Sequence, residues 1–133
     1  MNQSDQWTDG AISAITLFVP DNLMQPTCQF YQQVFGLPKV FSDEQSMVFQ
    51  FGATLINLLT ESAAVELLAP MAVPNVDSRA LYTITVANTD QIYAELSSRG
   101  VEFLNGPIDR AWSVRTASFA DPAGHLWEIA QPL

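Results

Sequence analysis

Two spacings of apolar residues alternate along the chain. Short runs rich in β-branched and aromatic residues read as strands, and longer runs with one apolar face read as helices. AISAITLFVPD (11–21) reads as a strand stopped by Pro20-Asp21. Pro26 then opens a helix over PTCQFYQQVFG, which gathers Phe30, Tyr31, Val34 and Phe35 on its apolar side and ends at Gly36. KVFS (39–42), SMVFQF (46–51) and ATLINLL (53–59) follow as strands, with Asp43-Glu44 and Gly52 at the hairpin turns. TESAAVELLAPMAVPNVDS (60–78) is a linker, part of it a short helix, in which Pro70 and Pro74 break regular structure.

The second half repeats this order. RALYTITVANTD (79–90) is a strand running into a polar turn, and DQIYAELSSRG (90–100) is a helix with Thr89 as N-cap and Gly100 as the residue beyond its end. VEFLNG (101–106), WSVRTASFA (112–120) and HLWEIA (125–130) are the last three strands, with a loop, NGPIDRA, before the middle one. Landmarks recur at similar offsets: Val19 to Val86 is 67 residues, Gly36 to Gly100 is 64, and Asn57 to Glu128 is 71. The predicted fold class is α+β, a single domain spanning 1–133 built from two pseudo-symmetric βαβββ modules whose sheets form a cup. Module one covers about 11–59, the linker 60–78, and module two about 79–131.

A strand alternates faces, so each sheet packs one face on its helix and turns the other toward the cup. Trp127 and Ile129 are the strong apolar pair of the last strand and should face the helix, leaving Leu126, Glu128 and Ala130 in the cup. The same logic sends Leu55, Asn57 and Leu59 to the cup from the first module's last strand. The two opening strands contribute Ala14, Thr16 and Phe18, and Leu81, Thr83 and Thr85. On the middle strands the apolar pattern of Met47, Phe49 and Phe51 against Val48 and Gln50 leaves the facing open. Trp112 is a candidate to stack on a ligand from a strand start, or else rim or core packing. The only histidine, His125, lies three residues before Glu128; on a strand the two point to opposite faces and cannot share a metal. Directly after the Asp-Pro-Ala-Gly turn, His125 should be solvent-exposed.

Composition narrows the function classes. The net charge of −9 leaves no basic patch for nucleic acid or an anionic membrane, and it favours solubility and cationic ligands. No apolar run is long enough to span a bilayer, and MNQSDQWTDG lacks the regions of a signal peptide, so a cytoplasmic protein is expected. A single cysteine, Cys28, excludes an intramolecular disulfide and a thiolate cluster; it reads as a small core residue of the first helix.

ITLFVPD…FYQQVFGLP and WSVRTASFADPAGHLWEIAQ, in this order within a duplicated layout, resemble the vicinal oxygen chelate superfamily, which groups glyoxalase I, extradiol dioxygenases and bleomycin-resistance proteins. The second stretch looks like that family's closing motif, Asp-Pro-x-Gly followed by a glutamate and apolar residues. The resemblance covers the chain after residue 11. It implies four cup-facing positions that hold a divalent ion in metal-dependent members, and these fall on Ala14, Asn57, Leu81 and Glu128. Only Glu128 is a strong ligand, Asn57 is a weak oxygen donor, and the other two carry no donor atom, so no metal and no other cofactor is expected. The resemblance also implies a homodimer, with each cup formed within one chain or across two.

Three functions follow. The first is a metal-independent protein that binds, and sequesters, an apolar or cationic small molecule, with Asn57 and Glu128 as polar anchors in an apolar lining. The second is a metal-free enzyme of isomerase or lyase type with Glu128 as general base, a role that removal from water suits a carboxylate for. The third is a glyoxalase-type metal enzyme whose ligands lie elsewhere in the chain.

Overall fold

In a computed structural model, residues 12–70, 72–73 and 80–133 are described. The chain divides after Val73 into two compact units. The end of the linker, 74–78, the first residue of the strand expected from 79, and the segment before 12 lie outside the described residues.

In the first unit, β1 (Ala14–Val19) leads through a short 3-10 turn, Asp21–Leu23, into α1 (Met24–Gln33). The helix starts two residues ahead of Pro26, because the 3-10 turn already sets helical backbone and proline is tolerated in a first turn. β2 (Lys39–Ser42), β3 (Ser46–Phe51) and β4 (Thr54–Thr60) follow, and then α2 (Glu61–Leu68), the short helix expected in the linker. The sheet runs β1-β4-β3-β2, with β1 parallel to β4 and the other pairs antiparallel. Leu17, Val19, Phe49, Ile56 and Leu58 are buried, and Tyr31 of α1 stacks on Phe49 at 5.9 Å between ring centroids. That contact settles the phase of β3: Phe49 faces α1, so Val48 and Gln50, paired with Asn57 and Leu55, lie on the opposite face.

The second unit repeats this arrangement with β5 (Leu81–Thr85), α3 (Thr89–Ser98), β6 (Asn105–Arg110), β7 (Val114–Ala120) and β8 (Leu126–Pro132), in sheet order β5-β8-β7-β6. Its core is Ala117, Phe119, Trp127 and Ile129 against α3, bridged by Phe103, whose ring lies 4.4 Å from Tyr93 of the helix and 5.4 Å from Phe119. Two four-stranded mixed sheets, each with a helix on one face, make the α+β, twice-repeated fold that the apolar spacing anticipates.

Three sequence-derived assignments are corrected. Thr89 is not the cap of α3: Asn88 holds extended backbone and its Oδ1 accepts from Gln91 N at 3.0 Å. Thr89 is instead the first helical residue, its hydroxyl donating to Arg115 O at 2.7 Å. Residues 101–104 are not a strand. Gly100 N donates to Ser97 O and Val101 N to Leu96 O, the paired closure of a helix end that uses up the chain there. The strand begins instead at Asn105 and runs through the segment read as a loop. Finally, 111–113 form the β6–β7 turn, with Ser113 at φ 67°, so Trp112 does not start a strand.

Candidate binding site

Glu128 owes its direction to the turn before it. The Asp121 side chain is fully buried, and its Oδ1 accepts from Ala123 N and His125 N, each at 2.9 Å. Its Oδ2 lies 2.7 Å from His125 Nδ1. His125 is therefore not the exposed turn residue expected: 15% of its side chain reaches solvent, because the carboxylate that folds the turn also draws the imidazole in. With the turn held this way, Trp127 and Ile129 enter the core against α3 and Glu128 points to the other face. On the core side, burial and then the Asp121 charge push the Tyr82 phenol up, and Tyr82 packs on Trp127 at 5.1 Å.

On that other face, Thr83 of β5 stands opposite Glu128 in the parallel pairing, and its hydroxyl donates to Glu128 Oε1 at 3.0 Å. Ser118 of β7 flanks Glu128 on its second side. Leu81 and Leu126 continue the face toward one end of the sheet, and Thr85 and Ala130 toward the other. Glu128 is half-buried and joins no ion pair among the described residues.

The first unit carries the equivalent pair. Thr16 of β1 stands opposite Asn57 of β4, and Asn57 Nδ2 donates to Thr16 Oγ1 at 3.4 Å. Asn57 Oδ1 is buried and accepts no hydrogen bond from the described residues. Ala14, Phe18 and Leu55 share this face by alternation and register. The candidate residues thus fall into two groups: Ala14, Thr16, Phe18, Leu55 and Asn57 on the first sheet opposite α1, and Leu81, Thr83 and Glu128 on the second opposite α3. Trp112 stands apart in its turn, 68% exposed, with the Arg110 guanidinium 5.9 Å from the ring.

Arg110 is the residue that sequence reasoning missed. β6 pairs Ile108 with Thr116 and Arg110 with Val114, which places Arg110 on the Glu128 face, where its Nε donates to Thr116 Oγ1 at 3.0 Å. The signal was an arginine beside a tryptophan, but its facing depends on a strand that the chain's Gly-Pro punctuation hides.

The four positions that the resemblance assigns to a metal are occupied by Ala14, Asn57, Leu81 and Glu128. Two of these side chains have no donor atom and a third offers a neutral amide, so the set does not fit a divalent transition metal. Among the described residues, no group of three or more His, Cys, Asp or Glu side chains converges. No helix among them is long and apolar enough to cross a membrane.

Comparison with known proteins accords with this fold. The family model described as Glyoxalase/Bleomycin resistance protein/Dioxygenase superfamily matches residues 11–129. The chain is 31% identical to Uncharacterized protein YraH of Bacillus subtilis, over 90% of this chain and 96% of that protein. It is 28% identical to Virulence protein STM3117 of Salmonella typhimurium, over 98% and 90% respectively. The crystal structure of STM3117 superposes with a TM-score of 0.72 at 25% identity, covering 92% of this chain and 97% of that one. That of a glyoxalase/bleomycin resistance protein/dioxygenase from Nocardioides superposes with a TM-score of 0.79 at 20% identity, covering 92% and 83%.

Proposed function

Because the chain belongs to the Glyoxalase/Bleomycin resistance protein/Dioxygenase superfamily but lacks donor atoms at two of the four metal positions, we propose that it is a metal-independent small-molecule-binding protein that sequesters an apolar or cationic compound. One observation carries the reading: Glu128 is a half-buried carboxylate whose one hydrogen bond among the described residues is neutral, from Thr83, on a face otherwise lined near it by leucine, alanine and hydroxyl side chains. Such a face suits a ligand whose apolar body meets the sheet and whose donor group meets the acid. The net charge of −9 favours a cationic partner over an anionic one.

The test is equilibrium titration of the purified protein with hexylamine, a minimal apolar cation. Saturable binding, weakened about tenfold in Glu128→Gln through loss of a charge-assisted hydrogen bond, supports the reading. Equal affinity in the variant sinks it. Stoichiometric Ni, Zn, Fe or Mn carried through purification overturns the metal-independent part.

A second reading, a metal-free isomerase or lyase with Glu128 as general base, is favoured by Arg110, a cation on the same face able to stabilise developing negative charge. Turnover of an α-ketoacid, epoxide or thioester that is lost in Glu128→Gln would replace sequestration with catalysis. The proposal includes a cytoplasmic homodimer, in keeping with the half-exposed Val40 and Phe41 on the edge strand β2. A monomer at micromolar concentration in sedimentation contradicts it.

A further inference from the structure

We propose, resting on the reading of Glu128 as a ligand anchor, that Arg110 is the second anchor of the same face and that the ligand is amphoteric, with an amine directed to Glu128 and a carboxylate or similar planar anion directed to Arg110.

The sheet register is the first support. Asn105 pairs with Ser118, but Ile108 pairs with Thr116, so β6 carries one extra residue between them. A one-residue shift exchanges the two faces of a strand. Without the bulge, Asp109 would stand opposite Val114 on the Glu128 face and Arg110 would turn toward α3. With it, Asp109 lies on the α3 side and pairs with Arg115 at 2.9 Å, while Asp90 of α3 pairs with the same arginine at 3.0 Å. The bulge therefore decides the sign of the charge that the end of β6 presents on the Glu128 face.

The second support is the state of the guanidinium. Thr116, wholly buried, holds Nε, and both terminal nitrogens lack an acceptor among the described residues. An arginine fixed by one nitrogen presents its remaining donors as a planar fork suited to two oxygens of one anion. Trp112 beside it offers an apolar wall to the ligand. Thr116 is the diagonal cross-strand neighbour of Glu128, roughly 7–8 Å away in such a sheet. The acid and the arginine thus bracket a small ligand without neutralising each other, and no ion pair joins them.

Three probes with the same carbon chain separate the two anchors: hexylamine, hexanoate and 6-aminohexanoate, titrated into wild type, Arg110→Gln, Arg110→Lys and Glu128→Gln, with thermal unfolding of each variant as a folding control. In Arg110→Gln, affinity for 6-aminohexanoate and hexanoate should fall about tenfold while hexylamine binding stays within about twofold. Arg110→Lys should recover only part of the loss, since an ammonium cannot engage two oxygens at once. Unchanged 6-aminohexanoate affinity in Arg110→Gln overturns the proposal, as does an equal loss for hexylamine, which would make Arg110 merely structural. Absence of saturable binding by either carboxylate-bearing probe overturns it as well, whatever hexylamine does. Failure of the Glu128 reading appears separately, as hexylamine binding that Glu128→Gln leaves intact.

Discussion

Replacing Gly106 by alanine should cost this protein a large part of its stability, and the amount can be worked from the bulge in β6. Gly106 holds φ at 89°, a backbone conformation that costs an L-residue about 1–2 kcal/mol. A β-carbon there would lie 2.4 Å from Thr116 O, 2.6 Å from Ala117 Cα and 2.8 Å from Ala117 Cβ. The first two are backbone atoms of β7, a central strand, and cannot swing aside as a flexible side chain would. Overpacking of this kind typically adds about 1–3 kcal/mol, so the sum is about 2–5 kcal/mol. Against the ~5–15 kcal/mol that holds a typical domain, that is close to a third. Urea unfolding is the assay, and with a slope of about 1–3 kcal/mol per molar the midpoint should drop by about 1–2 M. Gly100→Ala is the control: its φ is 94° but a β-carbon meets nothing within 4 Å, so only the backbone cost of about 1–2 kcal/mol remains. Equal losses in the two variants would refute the contact argument, and a Gly106→Ala loss below about 0.5 kcal/mol would refute the whole account, because it falls within the range of an ordinary surface change.

Asp121→Ala strips the acceptor from Ala123 N, His125 N and His125 Nδ1 in a buried turn, and should destabilise by about 3–5 kcal/mol, read as a lowered thermal midpoint. A change under about 1 kcal/mol would show that the turn does not depend on this carboxylate. Ser62→Ala should lower stability at neutral pH more than in acid. The Ser62 hydroxyl, followed by its backbone N–H, holds the Asp21 carboxyl below the usual aspartate range. A depressed folded value contributes stability that is fully present above the unfolded value and is lost as pH falls through the folded one, so removing the hydroxyl should lower stability at neutral pH, with the gap to wild type closing as the carboxyl protonates. Urea unfolding at neutral pH that matches wild type in the variant rejects this.

Alternation alone was sufficient to orient β4 and β8. Ile56, Leu58, Trp127 and Ile129 are all buried, so Asn57 and Glu128 had to face the other way. The duplicated layout was legible for the same reason, since both units mark their helix ends and turns with glycine. Where reading failed, the missing information was non-local. The apolar stretch beginning at Val101 looks like a strand, yet Val101 N is committed to closing α3 and Phe103 to filling the gap between helix and sheet. Gly106-Pro107 looks like a loop marker, yet it lies within a bulged strand whose register becomes visible only against β7. The burial of His125 depends on a contact with Asp121 across a turn whose sequence alone suggests exposure. Arg110 was missed as a direct consequence, because the facing of a residue beyond a bulge cannot be counted from either end of the strand.

The two faces of the second sheet differ in how their charges are paired. On the α3 side, Arg115 meets both Asp90 and Asp109, and these bonds hold its guanidinium still further above neutrality. On the other side, Arg110 and Glu128 each keep, among the described residues, one hydrogen bond to a threonine and no ion pair. Both sides belong to the same four strands and the same acidic chain, so a shortage of acidic partners does not explain the difference. Asp109, the neighbour of Arg110 in sequence, is turned away by the bulge and spent on Arg115. The first sheet extends the pattern in neutral form, with Thr16 on one side of Asn57 Nδ2 and, among the described residues, no donor to buried Oδ1. A buried polar atom without a partner costs about 1–3 kcal/mol, and Thr27 Oγ1 in α1 is the other such side-chain atom among the described residues. Selection for stability alone would pair or remove such groups. Asn57 in the first unit and Glu128 in the second stand at equivalent places of their own sheets, one an amide and one an acid, and only on the second sheet does an arginine, Arg110, share the face.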